Sequence, residues 1–145
     1  MTETRIELSQ AVAASRAEAW TAWTDPDAIA RWWWHRIPGT TIAADARVGG
    51  RYRFESRDAG FGVTGEYLAL EPLELLVLSW QWIDDGVEGD AVDTVTVRFA
   101  DDGDGTLVTV VHETDATGAP DYEIGWRETL GELPIVARRT GRPSD

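Results

Sequence analysis

The sequence predicts an α+β protein. We expect an antiparallel sheet of six or seven strands with a long C-terminal helix lying on it, and two short helices between strands 1 and 2. Apolar and polar residues alternate over most of residues 51–113, the period-two pattern of strands that are buried on one face. Two segments before this region carry helix-start signals, and a stripe of large apolar residues after Pro120 has helical spacing.

The start of the chain has the signals of one strand followed by one short helix. Residues 4–12 alternate between apolar and polar side chains, which predicts a half-buried strand. Ser15 and Glu18 have the spacing of a capping box, in which hydroxyl and carboxylate each satisfy a free amide at a helix start. We therefore expect a helix over residues 15–24. The inward residues of the strand are Ile6, Leu8 and Val12.

A second helix is expected to begin at Pro26. Asp25 can accept a hydrogen bond from a free amide there, and proline at the first helical position gives up a donor that has no partner anyway. Pro38 and Gly39 are typical of a turn, so we expect the helix to end at them. The helix would bring Ile29, Trp32 and Trp33 into the core.

The middle of the chain is predicted to form hairpin-linked strands. We expect them at residues 51–57, 63–71, 75–82, 93–100 and 105–113, with a further strand near 41–46. The expected turns lie at Gly60, Pro72, Gly86 and Asp104-Gly105. Alternation places on one common face Tyr67, Leu76, Leu78, Trp80, Trp82, Val95, Val97, Phe99, Val108, Val110 and His112.

A closing helix is predicted after Pro120, with Asp121 as its cap. Its apolar stripe should lie on the sheet. Pro134 interrupts the pattern, because a proline inside a helix removes a hydrogen bond and costs about 3 kcal/mol or more. We therefore expect a kink or an end there. The stripe consists of Tyr122, Trp126, Leu130, Leu133 and Ala137.

The composition limits the classes of function. The 145 residues are most simply one domain, residues 1–145, with enough chain to bury a sizeable core. There is no cysteine, and the two histidines are His35 and His112, so we predict no metal site and no cofactor. The start of the chain has no apolar segment of signal-peptide length, and no stretch approaches a membrane span, which favours a cytoplasmic protein.

The charge of the chain also excludes partners. A formal net charge of −13 repels phosphate backbones and anionic lipid head groups, so we predict no nucleic acid partner and no membrane insertion. The sequence does not fix the oligomeric state. We interpret the acidic residues between strands as solvated loops: Asp84, Asp85, Glu88, Asp90, Asp93, Asp101, Asp102 and Asp104.

Residues 60–65 spell G-x-G-x-x-G, the pattern of dinucleotide-binding loops. That motif requires a helix to follow, whereas residues 66–72 are too short for one and end in proline. We therefore interpret the glycines as part of a hairpin turn. Hydrolase chemistry lacks its central residue, because the chain has neither a G-x-S-x-G motif nor a cysteine.

Five segments follow one another as in a known family: AWTAWTDPDAIARWW, RVGGRYRF, GEYLALEPLELLVLSW, GTLVTVVHE and GWRETLGEL. They resemble the START/SRPBCC superfamily, and within it the type named after the activator of the heat-shock-protein-90 ATPase. The resemblance covers about residues 4–134 and implies the helix-grip (Bet v 1-like) fold, a curved antiparallel sheet wrapped around the long C-terminal helix. The sequence departs from the family pattern at the third tryptophan of WWW, Trp34, at Pro134, and in a tail that stops soon after.

The resemblance also implies an apolar pocket between the sheet and the closing helix. The alternative is an interior in which the same side chains interdigitate and leave no space. Together with strand alternation, the resemblance gives the candidate ligand-binding wall Phe54, Phe61, Tyr67, Trp80, Trp82, Phe99, His112 and Trp126.

His112 is the histidine predicted to point inward. It could act as a general acid or base, although a lone strand histidine is more commonly a hydrogen-bonded core residue. Glu66 and Arg53 are its nearest candidate partners by strand position, but alternation places both outward.

Three functions remain open at this point. The first is binding of a small hydrophobic or aromatic ligand, motivated by eight tryptophans that fall in three places and suggest a converging interior. The second, implied by relatives in the superfamily, is an enzyme of cyclase or dehydratase type acting on a polyketide-like substrate, with His112 and Tyr67 as its polar groups. The third is stimulation of a chaperone ATPase, as the family's name implies.

Overall fold

An antiparallel sheet forms the framework of the protein. The computed structural model describes residues 3–115 and 118–135. The strands are β1 (Glu3–Val12), β2 (Thr40–Ala44), β3 (Arg51–Ser56), β4 (Phe61–Glu71), β5 (Leu75–Asp84), β6 (Val87–Glu88), β7 (Asp93–Asp102) and β8 (Gly105–Asp115). Their order in the sheet is β1-β8-β7-β5-β4-β3-β2, and the two-residue β6 pairs with β5.

The order of the strands follows from tight connections between neighbours. β3, β4 and β5 pair in succession, as do β5, β7 and β8, and all these pairs are antiparallel. β1 pairs with β8 at one edge, where Ile6 faces His112, and β2 pairs with β3 at the other. The predicted antiparallel sheet is therefore confirmed. The strand that the sequence did not predict is β6.

The capping signals of the first two helices are confirmed, but the second helix is shorter than predicted. Helix α1 (Arg16–Thr24) starts at Ser15, whose hydroxyl accepts from the Glu18 amide at 3.1 Å. Helix α2 (Pro26–Ile29) ends well before Pro38. The prediction that Trp32 and Trp33 lie on α2 is wrong. The chain leaves the helix through amide-to-carbonyl bonds across three residues and then through a left-handed residue, Trp34, with φ 49°.

Helix α3 (Ala119–Leu130) begins two residues before Asp121, which therefore lies in the first turn instead of at the cap. It also ends earlier than Pro134. Because proline has no amide hydrogen, Pro134 cannot bond the Leu130 carbonyl, and the Leu133 amide takes that acceptor at 3.0 Å. None of the helices in the described ranges has the length and hydropathy needed to cross a lipid bilayer. Ala137 of the predicted stripe lies outside the described residues.

The inner face of the sheet is the one that the sequence predicts. Every residue assigned to it is buried except Trp82, which is half-buried. Indoles from separate parts of the chain meet there: Trp23 of α1 and Trp126 of α3 stack at 6.3 Å between ring centroids, and Trp33 packs edge-on against Trp126 at 5.5 Å. The expected convergence of tryptophans is confirmed.

The glycines of the G-x-G-x-x-G stretch serve the β3–β4 hairpin. Gly60 has φ +82°, a conformation that closes the turn and that other residues rarely adopt. Gly65 lies on β4, where a Cβ would collide with the Ser79 carbonyl of β5. The interpretation as a hairpin is confirmed, because the residues that follow form a strand.

Candidate functional site

A cleft of about 610 Å³ lies between α3, the turns that follow α2, and the adjoining ends of β4 and β5. It is partly open to solvent, and its volume is in the range of small-molecule sites. Most of its wall is aromatic: Trp33, Trp34, Phe61, Trp80, Trp82, Tyr122 and Trp126. The partly or fully exposed polar residues along it are His35, Arg36, Asp121, Glu128 and Glu132.

Strand and helix periodicity explain why these rings face one another. Trp80 and Trp82 are two residues apart on β5 and share a face of the strand, whereas Tyr122 and Trp126 are four apart on α3 and share a face of the helix. The two pairs meet across the cleft. Trp80 lies 5.2 Å from Trp126, and Trp82 lies 6.1 Å from Tyr122, between ring centroids.

The predicted wall divides into two groups. Phe61, Trp80, Trp82 and Trp126 line the cleft. The others are buried outside its lining: Phe54 packs against Trp33 at 5.1 Å, Tyr67 against Tyr52 at 5.6 Å and Phe99 against Trp20 at 5.4 Å, while His112 lies behind Trp126.

Helix α1 accounts for the side of the interior that is filled. It packs against β7 and β8, where its Trp20 and Trp23 contact Phe99. The inner face of the sheet is therefore covered by α1 on this side, and the cleft lies beside α3.

Trp34 has an unusual backbone conformation for a residue of its size. Its φ of 49° is in the left-handed region, which bulky side chains rarely adopt and which costs about 1–3 kcal/mol. The conformation brings the indole to the cleft, where it packs edge-on against Phe61 at 4.9 Å and donates its N–H to the Thr129 hydroxyl of α3 at 3.3 Å. The strain is offset by contacts that join the turns after α2 to two other walls.

Two further contacts lie between the turns after α2 and Glu132. The His35 Nε2 atom lies 2.8 Å from Glu132 Oε1, and Arg36 Nε lies 3.4 Å from the same oxygen. The hydrogen bond from His35 is the largest cause that lowers the pKa of Glu132, and Arg36 lowers it further. These residues therefore connect the turns after α2 to the segment that follows α3.

Behind the cleft, a buried histidine holds the central tryptophan of the wall. The Trp126 N–H donates to His112 Nδ1 at 2.8 Å, and His112 Nε2 lies 2.9 Å from Asp93 Oδ2. Because Nδ1 accepts, Nε2 carries the hydrogen and donates it to the Asp93 carboxylate. Burial lowers the pKa of His112, and Asp93 partly opposes this effect. The neutral imidazole thus fixes the orientation of Trp126.

The partner of His112 is an acid that sequence reasoning placed in a solvated loop. That interpretation of Asp93 is wrong, since 13% of its side chain is exposed. Asp93 has the same strand parity as Val95, which faces His112, so alternation alone could have placed it inward. Arg53, a partner considered earlier, bonds Glu55 and Glu88 instead. The other acidic loop residues, Asp84, Asp85, Glu88, Asp90, Asp101, Asp102 and Asp104, are exposed as predicted.

Three aromatic residues of the wall were missed as candidates: Trp33, Trp34 and Tyr122. Tyr122 shares the helical stripe of Trp126, so its position was available from the spacing. The place of Trp34 depends on its left-handed backbone and that of Trp33 on the turns after α2, and the sequence gives no signal for either.

Some indole N–H groups remain without a partner. Trp23, Trp33 and Trp80 each bury an Nε1 atom that forms no hydrogen bond within residues 3–115 and 118–135. Trp33 and Trp80 line the cleft, and Trp23 does not.

These features define a helix-grip protein with an aromatic cleft beside its C-terminal helix. The chain belongs to the family described as Activator of Hsp90 ATPase homolog 1-like protein, whose model matches residues 13–137. The family lies in the SRPBCC superfamily, as the sequence resemblance predicts.

Solved structures share the fold. A Mesorhizobium loti protein superimposes with a TM-score of 0.79 at 20% identity, over 96% of this chain and all of its own. CalU16 from Micromonospora echinospora gives 0.73 at 28% identity, over 96% of this chain and 77% of its own. DynU16, from the dynemicin biosynthetic locus, gives 0.77 at 22% identity over 96% of this chain, which spans 48% of the DynU16 chain. No match was found among curated proteins.

Proposed function

We propose that this protein binds a small, largely apolar aromatic molecule in the cleft beside α3. The observation that carries the proposal is a volume of about 610 Å³ with seven aromatic side chains in its wall. Stacked and edge-on contacts with such rings favour a flat aromatic ligand beyond the area that it buries. Charged side chains stand only where the lining is exposed, so they leave the aromatic part of the wall apolar.

The walls are held in place before any ligand arrives. Trp126 is fixed by its hydrogen bond to His112, and Trp34 is fixed by its hydrogen bond to Thr129. A pre-organised wall lowers the entropic cost of binding, because fewer side chains must be ordered by the ligand.

Binding is better supported than catalysis by the position of the polar groups. The cyclase or dehydratase hypothesis depends on His112 and Tyr67, and neither residue lines the cleft. Both ring nitrogens of His112 are engaged, one by Trp126 and the other by Asp93. A proton-transfer role would require both partners to move.

A substitution that fills the cleft tests the proposal. Gly125 lines the cleft from α3, and a Cβ at this position meets nothing within 4 Å. The phenyl ring of Gly125→Phe would start from this unobstructed position and should reduce the space available to a ligand. With fluorene as the probe and equilibrium dialysis as the measurement, we expect Kd to rise at least about tenfold, the equivalent of about 1.4 kcal/mol.

Two matched variants control this experiment. Gly125→Ala should keep fluorene affinity and stabilise the fold by up to about 1 kcal/mol, since alanine is the better helix former. Ile124→Phe adds the same ring to α3 at a residue that is 58% exposed and outside the lining, so affinity should not change. Equal fluorene binding by Gly125→Phe and the unsubstituted chain, or no binding by the latter, would overturn the proposed function.

The family description also names an activator of the Hsp90 ATPase. Stimulation of that ATPase by this chain stays a prediction, and the ATPase rate of purified Hsp90 with and without the protein checks it.

A further inference from the structure

Two buried donors in the cleft wall are not explained by binding of a purely apolar molecule. The indole N–H groups of Trp33 and Trp80 have no hydrogen-bond partner among the described residues, although these side chains are only 2% and 4% exposed. Buried tryptophan N–H groups usually find an acceptor, and one left unpaired is destabilising. Both rings line the cleft and are neighbours, with centroids 6.2 Å apart.

The Trp80 donor is directed toward the side of the cleft formed by α3. Burial raises the pKa of Tyr122. The Trp80 N–H approaches the Tyr122 phenol closely enough to oppose this rise. The approach does not reach hydrogen-bond geometry, because the Trp80 Nε1 atom remains unpartnered. The donor is therefore next to a residue that lines the cleft and is free to bond a better-placed acceptor.

We propose that the ligand of this cleft carries a neutral carbonyl oxygen, as in an aromatic ketone or quinone, which accepts hydrogen bonds from Trp80 and Trp33. The proposal rests on the proposed function and narrows its ligand class. A carbonyl oxygen fits because it has two lone pairs and brings no donor of its own that would need a partner.

A carboxylate group fits the cleft less well than a neutral carbonyl. Three carboxylates line it, those of Asp121, Glu128 and Glu132, against the one guanidinium of Arg36. That guanidinium is already paired with Glu132. An anionic ligand would therefore meet net repulsion at the entrance.

A matched pair of probes separates the carbonyl from the rings. Fluorene and 9-fluorenone share one ring frame and differ by the carbonyl oxygen. We expect the protein to bind fluorenone about five- to thirtyfold more tightly, the value of one or two net hydrogen bonds. Equilibrium dialysis measures the free probe and does not depend on the tryptophans that are changed. The infrared carbonyl band of bound fluorenone should also shift to lower wavenumber.

Substitution to phenylalanine removes the N–H donors and keeps aromatic rings in the wall. The double variant Trp33→Phe, Trp80→Phe should lose the preference for fluorenone while it still binds fluorene. Trp23→Phe is the matched control, because Trp23 also has an unpartnered N–H but lies outside the lining, and it should keep the preference.

The possible outcomes distinguish this inference from the function on which it rests. Equal affinity for both probes, or an unshifted carbonyl band, overturns the carbonyl proposal and leaves aromatic binding intact. Failure to bind either probe overturns both. If the double variant does not fold, as circular dichroism would show, the probe ratio and the infrared band of the unsubstituted protein decide the question.

Discussion

At the scale of single residues, the shape of the cleft depends on side chains that do not line it. Trp126 keeps its orientation because His112 accepts its N–H, and His112 in turn donates to Asp93. The imidazole also lies against Tyr122, with ring centroids 4.4 Å apart. One buried histidine therefore positions two wall residues without contacting the ligand space.

This arrangement predicts a loss of stability in mild acid. Protonated His112 cannot accept the Trp126 N–H, and burial lowers its pKa below the value of about 6.5 for an unfolded chain. The unfolded state then binds more protons between these two pKa values, so the free energy of unfolding falls as the pH drops through that window. Denaturant titrations measure this loss from about pH 7.5 to about pH 5, a range that brackets the ordinary pKa of histidine.

Two variants assign the effect to its residue. His112→Gln should abolish the part of the pH dependence that arises from this site, whereas His35→Gln should keep it. An NMR titration that gave His112 a pKa above that of an unfolded histidine would contradict the prediction.

Strand alternation predicts which side chains of the sheet face inward, and it could have placed one more residue of the site. It placed Trp80, Trp82 and His112 inward, and continued by one step it would also have placed Asp93 beside His112. Trp34 is different. Its contacts depend on a left-handed backbone that is stabilised only by tertiary packing, so no local pattern predicts them.

At the scale of elements, capping signals locate helix starts better than periodicity locates helix ends. Ser15 and Asp25 both cap the helices that they were predicted to cap. The second helix nevertheless stops after four residues, because Trp32 and Trp33 pack into the core from turns. Pro134 has no amide hydrogen to donate to the Leu130 carbonyl, so α3 cannot continue through it.

The capping box of α1 makes a measurable contribution to stability. Ser15→Ala removes the acceptor for the Glu18 amide, so the free energy of unfolding should fall by about 1 kcal/mol, within a range of about 0.5–2 kcal/mol. Urea denaturation measures this change. Ser15→Asp retains an acceptor and should keep most of the stability. If both variants matched the unsubstituted chain, the cap would contribute nothing.

At the scale of the whole molecule, the fold was readable from the sequence and the position of the cleft was not. The order of strands and helices, together with five family-like segments, specifies a helix-grip sheet that the structure confirms. Which part of the interior stays open depends on how far α1 and its tryptophans fill the sheet. The space filled there depends on Trp20, Trp23 and Phe99 together. Because Phe99 lies far along the chain from the two tryptophans, no short stretch of sequence predicts it.

The net charge of −13 predicts discrimination between neutral and anionic ligands. We expect 9-fluorenone-4-carboxylate to bind more weakly than fluorenone at low ionic strength. The deficit should shrink as salt is added, because the screening length falls from about 10 Å at 0.1 M to about 3 Å at 1 M. Equilibrium dialysis over a salt series measures both effects.

Two neutralised variants locate the source of this repulsion. Glu128→Gln removes a carboxylate from the lining, and Glu113→Gln removes an exposed one on β8 that is outside it. Glu128→Gln should reduce the affinity difference between fluorenone and its carboxylate more than Glu113→Gln does. Equal effects would assign the repulsion to overall charge, and a salt-independent deficit would contradict an electrostatic origin.

The tryptophan cluster has an optical consequence. The rings of Trp23, Trp33, Trp80 and Trp126 are linked by centroid separations between 5.2 and 6.3 Å, close enough for an excited indole to pass its energy to a neighbour. A guest molecule that quenches one ring would therefore dim emission from several. The protein therefore carries an intrinsic fluorescent reporter, and libraries of unlabelled compounds can be screened by following its tryptophan emission.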